Sequence, residues 1–152
     1  MLKIREVVLE DLHSLYDLYM NHLNILSKFP TKEPQDMFKW ADVLVKLITD
    51  PDYHIFVGEI DEKIVSSVTL IVIQNLTHNL RPYALIENVV THENFRNKGY
   101  ASALIEHAGK IAEENNCYKI MLMTGSKKES TLRFYEKCGF NRNDKTGFIK
   151  WI

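Results

Sequence analysis

Arg96-Asn97-Lys98-Gly99-Tyr100-Ala101 is the stretch on which the fold turns. It follows a β-branched run, Ile86-Glu87-Asn88-Val89-Val90-Thr91, and opens an amphipathic segment that reaches Ile111-Ala112. A strand, a basic glycine-containing turn and a helix make an anion cradle. The first N–H groups of a helix have no partner inside it, and the helix dipole adds partial positive charge there. Together they suit a phosphate or pyrophosphate. Gly99 has no Cβ and lets a ligand approach the backbone closely, while Arg96 and Lys98 bring full charges. The hexapeptide does not read G-x-x-x-x-G-K-S/T and lacks the three glycines of G-x-G-x-x-G, so neither a P-loop nor a dinucleotide-binding turn fits. A solvated loop before an ordinary helix is the plainer reading. What lifts the cradle above it is a second element further on, Phe134-Tyr135-Glu136-Lys137-Cys138-Gly139-Phe140.

Outward from these two elements, the chain has one domain's worth of residues, 152, with 45% hydrophobic and 26% charged. A net charge of −1 gives no bulk attraction to nucleic acid. Cys117 and Cys138 show neither metal-ligand spacing nor a disulfide framework and read as buried free thiols in a reducing compartment. The six histidines are scattered, without an H-E-x-x-H pattern, so no metal is expected. Charge interrupts the N-terminus at once, which argues against a signal peptide. The longest apolar-rich run, 64–73, is too short to span a bilayer. These features predict a soluble, cytoplasmic protein with neither nucleic acid nor membrane as partner.

Periodicity divides the chain into alternating elements. Residues 2–7 alternate as a strand. A helix starts at Glu10-Asp11, with Leu12, Leu15, Leu18, Tyr19 and Leu23 on its apolar face. Two prolines break the pattern over 27–34, and a second helix is predicted over 35–48. Strands follow at 53–60 and 64–73 around Asp61-Glu62-Lys63, a hairpin turn without glycine. A polar connection over 74–82 leads to a strand at 83–91. The helix after the cradle runs over 99–114 and closes at Asn115-Asn116. Residues 118–123 read as a buried strand, Ser130 as the cap of a short helix ending at Lys137, and Gly139 as a C-terminal cap. Phe140 and 148–151 read as final strands. The order is β-α-α-β-β-β-α-β-α-β: a single α/β domain over 1–152 with a mixed sheet.

This order and these two elements resemble the GCN5-related N-acetyltransferase (GNAT) superfamily. The family's acetyl-CoA turn reads Gln or Arg, two residues, Gly, one residue, then Gly or Ala; Arg96 to Ala101 matches it. Its late helix commonly carries F-Y-E-K-x-G-F, as Phe134 to Phe140 do. The resemblance covers nearly the whole chain, although the first fifty residues match only in their β-α-α outline. It implies acetyl-CoA as co-substrate, with its pyrophosphate on Arg96, Asn97, Lys98, Gly99, Tyr100 and Ala101. It also implies that Val89, Val90 and Thr91 lie where the strand splays from its neighbour, so that the pantetheine arm completes the sheet. A backbone N–H near Val90 would then polarise the thioester carbonyl. The reaction implied is direct attack by a neutral amine, with the coenzyme A thiolate as leaving group. Tyr135 stands at the family's general-acid position; its other reading is packing beside Phe134. Glu87 is the candidate base, directly or through water, because a carboxylate in an apolar strand is costly unless used or paired. Its other readings are an exposed strand residue or an ion pair with Arg81. Asn88 can orient substrate but cannot be a base.

The chain departs from the family on the late helix. An asparagine that commonly bonds the pantetheine arm is replaced by Lys128, and an alanine by Thr131. Ser130 or Thr131 is the candidate substitute, and donor contacts extend to Phe134. Lys127 or Lys128 reads as a phosphate contact or as a solvated charge run. The acceptor is expected between 21–40 and 74–83, where Lys28, Phe29, Lys32, Trp40, His78 and Arg81 suit a small amine bearing an anionic group; solvated surface charges are the alternative. Cys117-Tyr118-Lys119-Ile120 and the late-helix motif are similar to stretches of glucosamine-6-phosphate N-acetyltransferases, but the loop between differs in length, so that substrate is not carried over. A small-molecule amine N-acetyltransferase leads; a protein or peptide N-acetyltransferase and a non-catalytic acetyl-CoA-binding regulatory module stand beside it. The family also suggests a homodimer through the sheet edge or last strands.

Overall fold

A computed structural model describes residues 1–152. The strands are β1 (Lys3–Glu6), β2 (Tyr53–Ile60), β3 (Lys63–Ile73), β4 (Tyr83–Thr91) and β5 (Ile120–Leu122). The helices are α1 (Leu12–Leu18), α2 (Met37–Thr49), α3 (Tyr100–Glu114) and α4 (Glu129–Lys137). The sheet runs β1-β2-β3-β4-β5 in space, antiparallel except for the parallel β4–β5 pair. No helix is long and apolar enough to cross a membrane.

Side chains of β2–β4 alternate between two cores, as strand geometry requires. On one face Phe56, Val68, Leu70, Ala84 and Ile86 pack against Leu104, Ile105, Ala108 and Ala112 of α3. Those α3 residues recur at helical spacing and form one buried stripe. On the other face Ile55 and Val57 meet Val7, Leu15 of α1 and Leu44 of α2. Helix α2 starts where Asp36 accepts the N–H groups of Phe38 and Lys39. The β2–β3 hairpin turns on two residues, because Ile60 already pairs with Lys63. Asp61 and Glu62 both take positive φ, 47° and 63°, as a type I′ turn demands even without glycine.

Four expectations change. The first helix does not stay α-helical: it passes into a π turn over Tyr19–Leu23 and a 3-10 turn over Asn24–Leu26. Strand β5 covers three residues rather than six, since β4 leaves it after Ile86. Ser130 is not the cap of α4; the cap position is Lys128, whose side chain cannot accept a hydrogen bond. The final strands do not form. Residues 148–151 join no ladder, and Phe148 stays 90% exposed. Trp151 instead packs edge-on against Phe29, 5.1 Å between ring centroids.

Candidate active site

A bulge in β4 creates the site. Thr69 pairs with Glu87 and Ser67 with Val90, so Val68 alone opposes both Asn88 and Val89. Asn88 carries the irregularity with φ +52°. The extra residue inverts the alternation of the strand. Before it, Ala84 turns its N–H to the Lys119 carbonyl on the β5 side; after it, His92 turns its N–H to Val65 on β3. The Val90 carbonyl also faces β3, where the fully buried Ser66 hydroxyl donates to it at 2.8 Å. Val89 and Thr91 therefore present their backbone groups away from β3. Pairing with β5 stops at Ile86–Leu122, which leaves that edge open. The N–H expected near Val90 thus belongs to its two neighbours.

The turn after β4 is built for an anion. Asn97 and Gly99 both have positive φ, 60° and 80°. None of the six N–H groups from Asn97 to Ser102 has an acceptor within the chain. Consecutive N–H groups at a left-handed turn and a helix start form an anion-binding concavity. Arg96 donates from Nε to the Thr91 carbonyl at 3.1 Å, which anchors the side chain and leaves its terminal nitrogens unbonded. Lys98 does not line the groove; its Nζ sits 4.9 Å from the centre of the ring of Phe95, which does.

A groove of about 520 Å³ joins these parts. Its floor is Val89, Val90 and Thr91; its end is Arg96, Asn97, Gly99, Tyr100 and Ala101; its far wall is Thr131, Phe134 and Tyr135 of α4. Of the predicted site residues only Lys98 and Glu87 do not line it. His22, Leu26, Phe95 and Ser102 also line it and were not anticipated. Ser102 had a signal, as the third residue of the helix after the turn. A second cavity of about 570 Å³ lies between α1 and α2, lined mostly by apolar groups such as Leu15, Leu44 and Ile55, and holds none of the predicted donor or catalytic residues.

Tyr135 owes its place to the way α4 ends. Gly139 donates to the Glu136 carbonyl and Phe140 to the Tyr135 carbonyl, at 2.9 and 3.1 Å, with Gly139 at φ +94°. This is a Schellman ending with its usual apolar contact: the Phe140 ring lies 6.4 Å from that of Tyr135. The glycine and phenylalanine of the late motif thus fix the tyrosine between them and Phe134. Burial pushes the phenol up from its ordinary value, with Cys138 and Glu87 adding to the effect. Its hydroxyl has no hydrogen-bond partner in the chain. Thr131 accepts the Ser126 hydroxyl at 3.1 Å, and Lys128 holds only the cap position.

Glu87 faces the α1–α2 side, opposite Thr69. The Tyr19 hydroxyl lies on the same face, 3.3 and 3.4 Å from Ser67 and Thr69. Burial pushes the Glu87 carboxyl up, against a smaller opposing hydrogen bond from the Asn88 backbone. The ion pair with Arg81 does not form: that guanidinium donates to the carbonyls of Asn116 and Cys117, both at 3.1 Å. The same contacts remove Arg81 from the free cations of the acceptor side. An anion cradle, an open strand edge and a phenol thus share one groove, and an unpaired carboxylate stands on the opposite face of β4.

The model of the acetyltransferase (GNAT) family matches residues 9–140. A glucosamine 6-phosphate N-acetyltransferase of Trypanosoma brucei brucei is 29% identical over 147 residues, 95% of this chain and 92% of that protein. Among solved structures, an Agrobacterium tumefaciens str. C58 protein named as an acetyltransferase is 36% identical, with a TM-score of 0.86 over 98% of this chain and 99% of the other. A glucosamine-6-phosphate N-acetyltransferase of Arabidopsis thaliana shares the fold, with a TM-score of 0.83 over 99% and 98% of the two chains at 21% identity. The chain belongs to the GNAT family and is an N-acetyltransferase.

Proposed function

We propose that this enzyme takes the acetyl group of acetyl-CoA and transfers it to the primary amine of a small molecule by direct attack. GNAT enzymes use acetyl-CoA as co-substrate. The observation that carries the reading is the single groove in which unaccepted N–H groups, an open β-edge and Tyr135 meet. The N–H groups from Asn97 to Ser102, with Arg96, hold the pyrophosphate. The open backbone groups of Val89 and the Thr91 N–H pair with the amides of the pantetheine arm, and one of these N–H groups donates to the thioester carbonyl. The donor supplies an activated acetyl thioester. Glu87 accepts the amine proton, directly or through a water, and its raised carboxyl brings it closer to that task at neutral pH. Tyr135 gives its proton to the departing sulfur.

For the acceptor we take an amine bearing an anionic group, with glucosamine 6-phosphate first. The relatives named for that substrate support the choice. The free thiols Cys117 and Cys138 fit a cytoplasmic setting. The test is thiol release from acetyl-CoA with phosphosugar amines, polyamines, amino acids and short peptides in one panel. Turnover confined to the phosphosugar amine is expected. Turnover of peptides alone would replace this reading by protein acetylation.

A further inference from the structure

His22 and His92 stack with ring centroids 4.1 Å apart and planes tilted by 38°. They come from separate parts of the chain, His22 from the π turn that follows α1 and His92 from the residue after β4. A π turn holds one residue more than an α turn, and such turns concentrate at functional sites. His22 is 8% exposed and lines the donor groove together with Arg96 and Asn97. It makes no hydrogen bond within the chain, yet its ring nitrogens are not sealed from solvent, since the one buried side-chain nitrogen without a partner is on His54. A buried, unbonded and accessible imidazole beside an anion cradle has no structural task that accounts for it.

The surrounding charges define its protonation. Burial is the largest influence and pushes the imidazole below its ordinary value; His92 and Arg96 act with it, and Glu93 and Asp17 act against it. His22 is therefore neutral near pH 7 while the groove lacks an anion. His92 is constrained differently. Its Nδ1 accepts the Asn94 N–H at 3.2 Å and caps the turn Glu93–Phe95. A pyrophosphate in the cradle brings negative charge into the groove that His22 lines, and negative charge favours the protonated ring.

We propose that His22 is part of the donor site and that binding of the pyrophosphate-bearing donor draws one proton from solvent onto His22. The inference rests on the donor reading above and adds a pH dependence to it. Donor affinity is strongest below the range in which the ligand-free ring titrates. It falls as pH rises through the higher range of the bound state, with a slope of up to ~10-fold per pH unit for one linked proton.

The test is titration calorimetry of the full chain with coenzyme A at pH 6.5, in two buffers of different ionisation enthalpy. The difference between buffers gives the protons taken up. The 3′-phosphate of coenzyme A titrates nearby, but it does so equally with every variant, so the difference between proteins isolates the histidines. His22→Gln is expected to lose up to one proton of uptake and to flatten the pH dependence of affinity. His92→Asn keeps a capping acceptor and removes one group that opposes a proton on His22; it is expected to keep measurable uptake, because the proton resides on His22. Equal uptake by wild type and His22→Gln, or loss of uptake only in His92→Asn, would overturn the assignment. Failure of coenzyme A to bind wild type at any pH would instead overturn the donor reading itself.

Discussion

Replacing Gly99 by alanine separates what the turn needs for its own conformation from what it needs for the donor, and Gly139 supplies the control. Both glycines sit at positive φ, +80° and +94°, and a Cβ built on either meets no atom within 4 Å. The two substitutions therefore share one cost, an L residue in the left-handed region, roughly 1–2 kcal/mol. In a chain of this length each kcal/mol lowers Tm by about 2–4 °C, so both variants should melt ~2–8 °C early. They diverge at the groove. Gly99 lines it, and its N–H is one of the unaccepted donors; Gly139 does not line it and bears on the site only through the placement of Tyr135, which the acetyl-CoA KM does not read. A methyl group at Gly99 keeps a phosphate from the backbone and weakens at least one charge-assisted hydrogen bond. At about 1.5–3 kcal/mol, that loss raises the acetyl-CoA KM roughly 10- to 150-fold. Thermal melts and thiol release against acetyl-CoA concentration, at saturating acceptor, read the two effects separately. An acetyl-CoA KM for Gly99→Ala within about twofold of that for Gly139→Ala would refute the cradle at this turn.

The other predictions concern the chemistry and the tail. Tyr135→Phe removes a hydroxyl with no partner in the chain, so Tm should hold while kcat drops ~10²- to 10⁴-fold at unchanged acetyl-CoA KM; a kcat within threefold of wild type would return Tyr135 to packing. Glu87 must be ionised to act as a base, and its carboxyl lies above the ordinary 4.5. The kcat/KM should therefore fall as pH falls through that raised value, and Glu87→Gln should be slower and lack this acidic limb; an unchanged limb would assign it to another group. At the C-terminus, Phe148, Ile149, Trp151 and Ile152 are all exposed. On the homodimer through the last strands that the family resemblance suggests, light scattering should show a dimer that becomes a monomer when residues 148–152 are deleted. A monomeric full chain would remove that partner.

The elements that carry the donor groove could be read in the sequence because each has a local cause. β-branched runs marked β3 and β4, helical spacing marked α3, and the late motif marked both the end of α4 and its tyrosine. The misreadings share a different cause: they depend on what lies next to a segment in space. Residues 148–151 have strand composition, but a strand exists only beside a partner, and this one meets the Phe29 ring instead. Arg81 stands six residues before Glu87, a natural ion-pair distance in sequence, yet the chain turns its guanidinium to the end of α3. The π turn leaves the spacing of Tyr19 and Leu23 as apolar as an α-helix would, so nothing local could place His22 in a groove built some seventy residues later.

Asn88 shows how one residue can organise both halves of the reaction. In an unbroken β4 the side chains of Glu87 and Val89 would face the same way, and the N–H groups of both would face β3. The bulge at Asn88 adds a residue and inverts the order. Glu87 keeps its place opposite Thr69 on the α1–α2 face, whereas Val89 joins the α3 core and turns its backbone to the open edge. On the proposed mechanism, acceptor chemistry and donor binding thereby fall on different sides of one strand within three residues. An asparagine suits that position because it tolerates left-handed φ better than most non-glycine residues, and a β-branched residue such as the neighbouring Val89 could not substitute. The polar pair Glu87-Asn88 inside an apolar run is therefore the sequence trace of the bulge: the first residue supplies the carboxylate and the second the turn that separates it from the donor edge.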